Sequence, residues 1–86
     1  MAVYSLFFKD SVRKDLASIP RNGLRRIMER IKSLAAEPRP LGCEKLSGQE
    51  KYRIRQGNYR IIYSIQDTQL TVWVVKVGHR REVSRT

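Results

Sequence analysis

The residues with most chemistry to offer lie in two stretches. YRIRQGNYRIIY at 52–63 holds Arg53, Arg55 and Arg60, and VVKVGHRREV at 74–83 holds His79, Arg80 and Arg81. A guanidinium group stays charged at any physiological pH and presents its donors in a planar fork that matches phosphate oxygens bidentately. Such groups are poor general bases; they are suited to orienting a phosphate and stabilising charge that develops on it. His79, the one histidine of the chain, has the only side chain whose unperturbed pKa lies near neutrality. It is a candidate proton carrier, with a structural or phosphate-contacting role as the alternative. Trp73 serves either as a ring on which a base stacks or as part of the core.

These groups act together only if the chain folds them onto one surface. Gly57-Asn58 between two β-prone runs is a two-residue hairpin signal. It pairs Arg55 with Arg60, Ile54 with Ile61, Arg53 with Ile62 and Tyr52 with Tyr63. Because side chains alternate between faces, Tyr52, Ile54, Tyr59, Ile61, Tyr63 and Ile65 share a core face. Arg53, Arg55, Arg60, Ile62 and Ser64 share the other. Like charges directly opposed across a ladder are destabilising, and a phosphate bound between them would convert that repulsion into attraction. Strands are expected at Lys51–Gln56, Tyr59–Gln66 and Gln69–Val77, the last two joined at Asp67-Thr68 with Ile65 opposite Leu70. That register puts Leu70, Val72 and Val74 in the core, and Trp73 and Val75 beside Ile62 and Arg60. Gly78 closes the last strand and brings His79, Arg80, Arg81 and Arg85 to the same sheet edge.

The first half of the chain supplies the cover. Val3–Phe8 reads as a strand, closed by Lys9-Asp10-Ser11, which can cap a helix. Val12, Leu16 and Ile19 recur at helical spacing until Pro20. From about Asn22, Leu24, Ile27, Met28, Ile31, Leu34 and Ala35 form one apolar stripe, ended by Glu37-Pro38-Arg39-Pro40. The expectation is an α+β fold, an N-terminal strand and an α-helical hairpin packed on one face of a small antiparallel sheet. The helices cover one side only, so the arginine side stays open.

Composition narrows the function. Eighteen Lys and Arg against eight Asp and Glu give a formal net charge of +10 over 86 residues. Nine basic and four acidic residues fall in 1–40 and the same numbers in 41–86, so the excess belongs to the folded body. This favours a polyanionic partner. A chain of this length reads as one domain, 1–86, with little room for a deep cavity. Cys43 is the one cysteine and reads as a loop thiol; with a single histidine it leaves no zinc-type cluster and no internal disulfide. No apolar run approaches a membrane span and the N-terminus lacks signal-peptide features, so the expected location is cytoplasmic.

YRIRQGNYRIIYSI at 52–65 with VVKVGHRREV at 74–83, behind a strand and a helical hairpin, resembles the RelE/ParE superfamily of toxins, and the glycine followed by a basic pair favours its RelE branch. The resemblance implies the RelE-like fold and the toxin of a type II toxin–antitoxin system. It further implies a ribosome-dependent endoribonuclease that cleaves messenger RNA in the ribosomal A site, using no metal or other cofactor. The messenger's 2′-hydroxyl attacks the adjacent phosphate. On this resemblance Arg53, Arg55, Arg60 and Arg80 are catalytic; His79 joins them as the candidate proton carrier, and Lys51, Trp73, Arg81 and Arg85, read from the basic surface itself, are the expected RNA contacts. The implied partners are a cognate acidic RelB-like antitoxin, the ribosome and messenger RNA, with operator DNA reached only through the antitoxin complex and no membrane. One position departs from the pattern: where RelE-branch members commonly carry a tyrosine after Glu-Val, this chain has Ser84. Two other readings remain, a ParE-like inhibitor of DNA gyrase and a non-catalytic RNA-binding module.

Overall fold

A computed structural model describes residues 3–46, 48 and 50–79. Strand β1 (Ser5–Phe8) leads directly into helix α1 (Asp10–Ala17). Lys9 takes the N-cap position in an extended conformation without a side-chain cap, and Asp10 places a carboxylate in the first turn, where the helix dipole favours it. Pro20 ends this segment and, itself extended, begins α2 (Arg21–Ser33). Its carbonyl accepts the first intrahelical bond, from Leu24 N at 2.8 Å. The stripe read from the sequence is the buried side of α2: Ile27, Ile31 and, just past the helix, Leu34 are fully enclosed.

The remaining elements are β2 (Glu44–Lys45), β3 (Lys51–Gln56), β4 (Tyr59–Gln66), a 3-10 turn at Asp67–Gln69 and β5 (Thr71–His79). Together with β1 they form one five-stranded sheet in the order β1-β5-β4-β3-β2. β1 runs parallel to β5 and the other pairings are antiparallel, so the sheet is mixed. Val12, Ile19, Ile27, Ile31 and Leu34 pack on Tyr52, Ile54, Ile61, Tyr63, Ile65, Val72, Val74 and Val77 in a single core. Both helices therefore lie over one face of the sheet, the α+β arrangement expected.

The β3–β4 hairpin has the expected register, Arg55 opposite Arg60 and Arg53 opposite Ile62. Gly57 turns the chain at φ 59°, in the left-handed region that glycine enters without a Cβ penalty. The β4–β5 connection corrects the expectation. Ile65 pairs with Val72, not Leu70. The 3-10 turn lengthens the loop, and Leu70 adopts φ 48° with 41% of its surface exposed, outside the core it was expected to join. A second correction follows from a bulge: Tyr63 pairs with Val74 but Ile62 with Lys76. Val75 is the extra residue. Trp73 therefore stands beside Ser64 rather than Ile62, and Gly78 rather than Val75 stands beside Arg60.

β2 is only two residues long, too short to show a strand pattern in the sequence. Its pairing with β3 brings Leu46 over Ile62, and Val75 packs against both to make a small second apolar cluster.

Candidate functional site

The sheet face away from the helices is ordered in cross-strand rows set by the register. At the hairpin end Arg55, Arg60 and Gly78 lie side by side; the next row runs Glu44, Arg53, Ile62; the next runs Lys51, Ser64, Trp73, Phe7. Neighbouring strands stand about 4.8 Å apart and successive rows about 6.6 Å apart, the spacing of alternate residues on a strand.

The three hairpin arginines are not equivalent. Arg53 has a side chain 19% exposed, and its guanidinium meets Glu44 Oε1 at 3.4 Å. Arg55 is exposed and Arg60 half-buried. Among the described residues neither Arg55 nor Arg60 pairs with a carboxylate. Arg53 is thus held and partly neutralised, whereas Arg55 and Arg60 keep their full charge facing one another. Two opposed cations beside a glycine that brings no side chain can clasp an anionic group between them. Lys51, half-buried, extends the basic surface along β3.

His79 is placed elsewhere. It pairs with Tyr59, a core-face residue, and the two rings meet edge to face with centroids 6.0 Å apart. The bulge at Val75 exchanges the faces of the residues that follow it, so that Gly78 takes the arginine face and His79 the helix side. The sequence expectation that His79 adjoins the cationic face is corrected accordingly. Arg80, Arg81, Arg85 and Ser84 lie outside the described residues.

Trp73 is half-buried and stacks on Phe7, centroids 5.0 Å apart and planes inclined by 25°. Phe7, which sequence reasoning assigned no role, is 45% exposed on the edge strand. Its partner stands far along the chain in a parallel pairing that no local pattern announces.

Two further groups hold this face in shape. Asp15, on α1, accepts a hydrogen bond from Val77 N at Oδ2, 3.1 Å, while Oδ1 lies 3.8 Å from Lys76 Nζ. β1 stops pairing with β5 at Val74, so beyond that point α1 supplies the acceptor that a strand would have given. At the other end of the sheet Arg39 grips Asp67 through both carboxylate oxygens, 3.1 and 2.9 Å, and its Nε donates to Tyr52 Oη at 3.3 Å. Tyr4 Oη donates to Asp67 Oδ1 at 2.8 Å. The Arg39 hydrogen bonds, then that from Tyr4, hold the Asp67 carboxyl below its usual range. The same bond to Asp67 raises Tyr4. This clamp fixes the turn that sets the β5 register.

This architecture has relatives. Residues 6–84 match the family described as "ParE toxin of type II toxin-antitoxin system, parDE". Toxin RelG of Mycobacterium tuberculosis is 31% identical over 86 residues, 95% of this chain and 97% of its own. Among solved structures, the toxin–antitoxin complex RelBE2 from Mycobacterium tuberculosis contains a chain with TM-score 0.82 and 29% identity, covering 92% of this chain and 100% of that one. The archaeal RelE–RelB complex from Pyrococcus horikoshii OT3 gives TM-score 0.82 and 32% identity over 91% and 96%. The protein is a toxin of a type II toxin–antitoxin system. Within that class it belongs to the RelE/ParE superfamily, on the RelE branch.

Proposed function

We propose that this toxin is a ribosome-dependent endoribonuclease that cuts messenger RNA in the ribosomal A site. The observation that carries the proposal is the opposition of Arg55 and Arg60, both without a carboxylate partner among the described residues, on the sheet face left open by the helices. A stable fold has reason to hold two like charges together when an anion is to be bound between them.

In the proposed reaction the 2′-hydroxyl oxygen of the messenger attacks the adjacent phosphorus. The bond to the 5′-oxygen of the next nucleotide breaks, leaving a 2′,3′-cyclic phosphate and a free 5′-hydroxyl; the proton lost by the 2′-hydroxyl balances the one gained by the leaving oxygen. Arg55 and Arg60 orient the phosphate and stabilise the charge gathered on its oxygens, with Arg53 behind them braced by Glu44. Arg80 stabilises the leaving oxygen. His79, on the helix side beside Tyr59 rather than among the arginines, takes a structural role there. The ribosome supplies the remaining positioning of the substrate.

A small acidic antitoxin of the RelB kind is the proposed partner. It is supported by the +10 charge of this chain and by relatives solved as RelBE2 and RelE–RelB complexes. Encounter is then electrostatically steered and slows as salt rises.

Purified toxin added to translating ribosomes, and separately to gyrase with plasmid, tests the assignment. Codon-phased cuts in the messenger support it. Trapped gyrase–DNA cleavage with intact messenger supports a ParE-like activity, the reading favoured by the ParE description of the matched family. Salt-sensitive ribosome binding without any cut would support a non-catalytic RNA-binding module.

A further inference from the structure

We propose that Phe7 and Trp73 form a base-stacking subsite for single-stranded RNA, at a fixed offset from the phosphate held by Arg55 and Arg60. The inference rests on the reading of the arginine face as an RNA surface and adds a second contact point to it.

The offset is set by the register. Trp73 pairs with Ser64, four positions along β4 from Arg60, and Phe7 pairs with Trp73 on the next strand out. At the usual strand dimensions the subsite lies about 13 Å along the sheet and about 10 Å across it from Arg60. A short run of extended nucleotides spans that distance, passing over the apolar patch of Leu46, Ile62 and Val75.

Phe7 is the surface that a base would meet. Trp73 is half-buried and stacked against Phe7, while Phe7 stands on the edge strand with 45% of its surface exposed. A base placed on the outer face of Phe7 continues a stack already begun. The surroundings favour a nucleic acid over an apolar peptide. Ser64 and Lys51 continue the row beside Trp73, Ser5 precedes Phe7 on the same strand face, and the basic hairpin follows. Two rings among polar and cationic groups suit a base and its phosphates; an apolar helix would need a wider greasy groove.

The chain contains a single tryptophan, so the fluorescence of Trp73 reports on this stack directly. The full-length toxin is titrated with oligoadenylate and, as a backbone-only probe, with inorganic polyphosphate. The expected result is that oligoadenylate changes Trp73 emission while polyphosphate binds without doing so. Phe7→Leu then weakens oligoadenylate binding by about 5- to 150-fold, the range of one base stack, with polyphosphate affinity and the salt slope unchanged. Phe7→Tyr retains the parental affinity. Unchanged oligoadenylate affinity in Phe7→Leu, or an equal emission change with polyphosphate, overturns the subsite. So does a Phe7→Leu variant that binds RNA normally but no longer binds an acidic antitoxin, which would make the rings a protein contact. If Arg55→Ala also leaves both probes bound as tightly as the parent, the RNA reading of the whole face falls with it, a result distinct from loss of the stack alone.

Discussion

Arg55 and Arg60 face one another across the β3–β4 hairpin, two like charges on the sheet surface that the helices leave uncovered. Cross-strand pairs of this kind cost stability in the free protein. Arg55→Ala removes the repulsion while deleting an exposed side chain. The variant is expected to be more stable than the parent by about 0.2–1 kcal/mol at low ionic strength. The gain should shrink as salt screens the pair. Denaturant unfolding at two salt concentrations measures it, and a destabilised variant at low salt would show that Arg55 makes a favourable contact instead.

The bond from Val77 N to Asp15 Oδ2 closes the edge of β5 where β1 has departed. Asp15→Ala leaves that amide without its acceptor and frees Lys76, at an expected cost of about 1–3 kcal/mol. Asp15→Asn retains an oxygen acceptor and should recover most of the loss. Faster amide exchange at Val77 in Asp15→Ala, and not in Asp15→Asn, locates the effect.

Asp67 gives the fold an acid dependence. Its folded pKa is lowered by hydrogen bonds from Arg39 and then Tyr4, so the ionised form is the one that folding favours. The stabilisation is fully present above the ordinary carboxylate pKa of about 3.9 and is lost as pH falls from there through the lowered folded value. Asp67→Asn should therefore be less stable than the parent at neutral pH, with the difference closing in acid. Parallel unfolding curves at both pH values would contradict the clamp.

Tyr63 is fully enclosed and donates to Pro38 O at 2.7 Å. Tyr63→Phe strands that carbonyl and is expected to cost about 1–3 kcal/mol. Burial raises the Tyr63 pKa. The protonated phenol is thus favoured in the fold, and its contribution, complete below the unfolded value of about 10, is lost as pH rises through the raised folded value. Unfolding measured from neutral to alkaline pH should show a steeper loss for the parent than for Tyr63→Phe.

How much of this was legible in the sequence depended on how local the determining contact is. The arginine register could be read because Gly57-Asn58 fixes the loop length and the isoleucines and tyrosines alternate on both sides of it. β5 could not be placed as well. Its run TVWVVKV is apolar at nearly every position, so nothing in it betrays the bulge at Val75, and the left-handed Leu70 gives no compositional warning. The placement of His79 failed for the same reason, since one extra residue exchanges the faces of all that follow. Glu44 belongs to a two-residue strand, too short to carry a pattern, and Asp15 meets Val77 across 62 positions. Such non-local partners are set by the assembled sheet.

Single-turnover cleavage of messenger on programmed ribosomes, with the parent, Arg60→Ala and Arg80→Ala compared at equal ribosome occupancy, tests the central claim most directly. Codon-phased cuts by the parent, slowed about 100-fold or more in each variant while both remain folded, are the expected result, the scale of losing one preorganised charge stabiliser. Variants that cut as fast as the parent would contradict the assignment of the arginine face as the active site, and intact messenger with the parent would contradict the nuclease reading altogether.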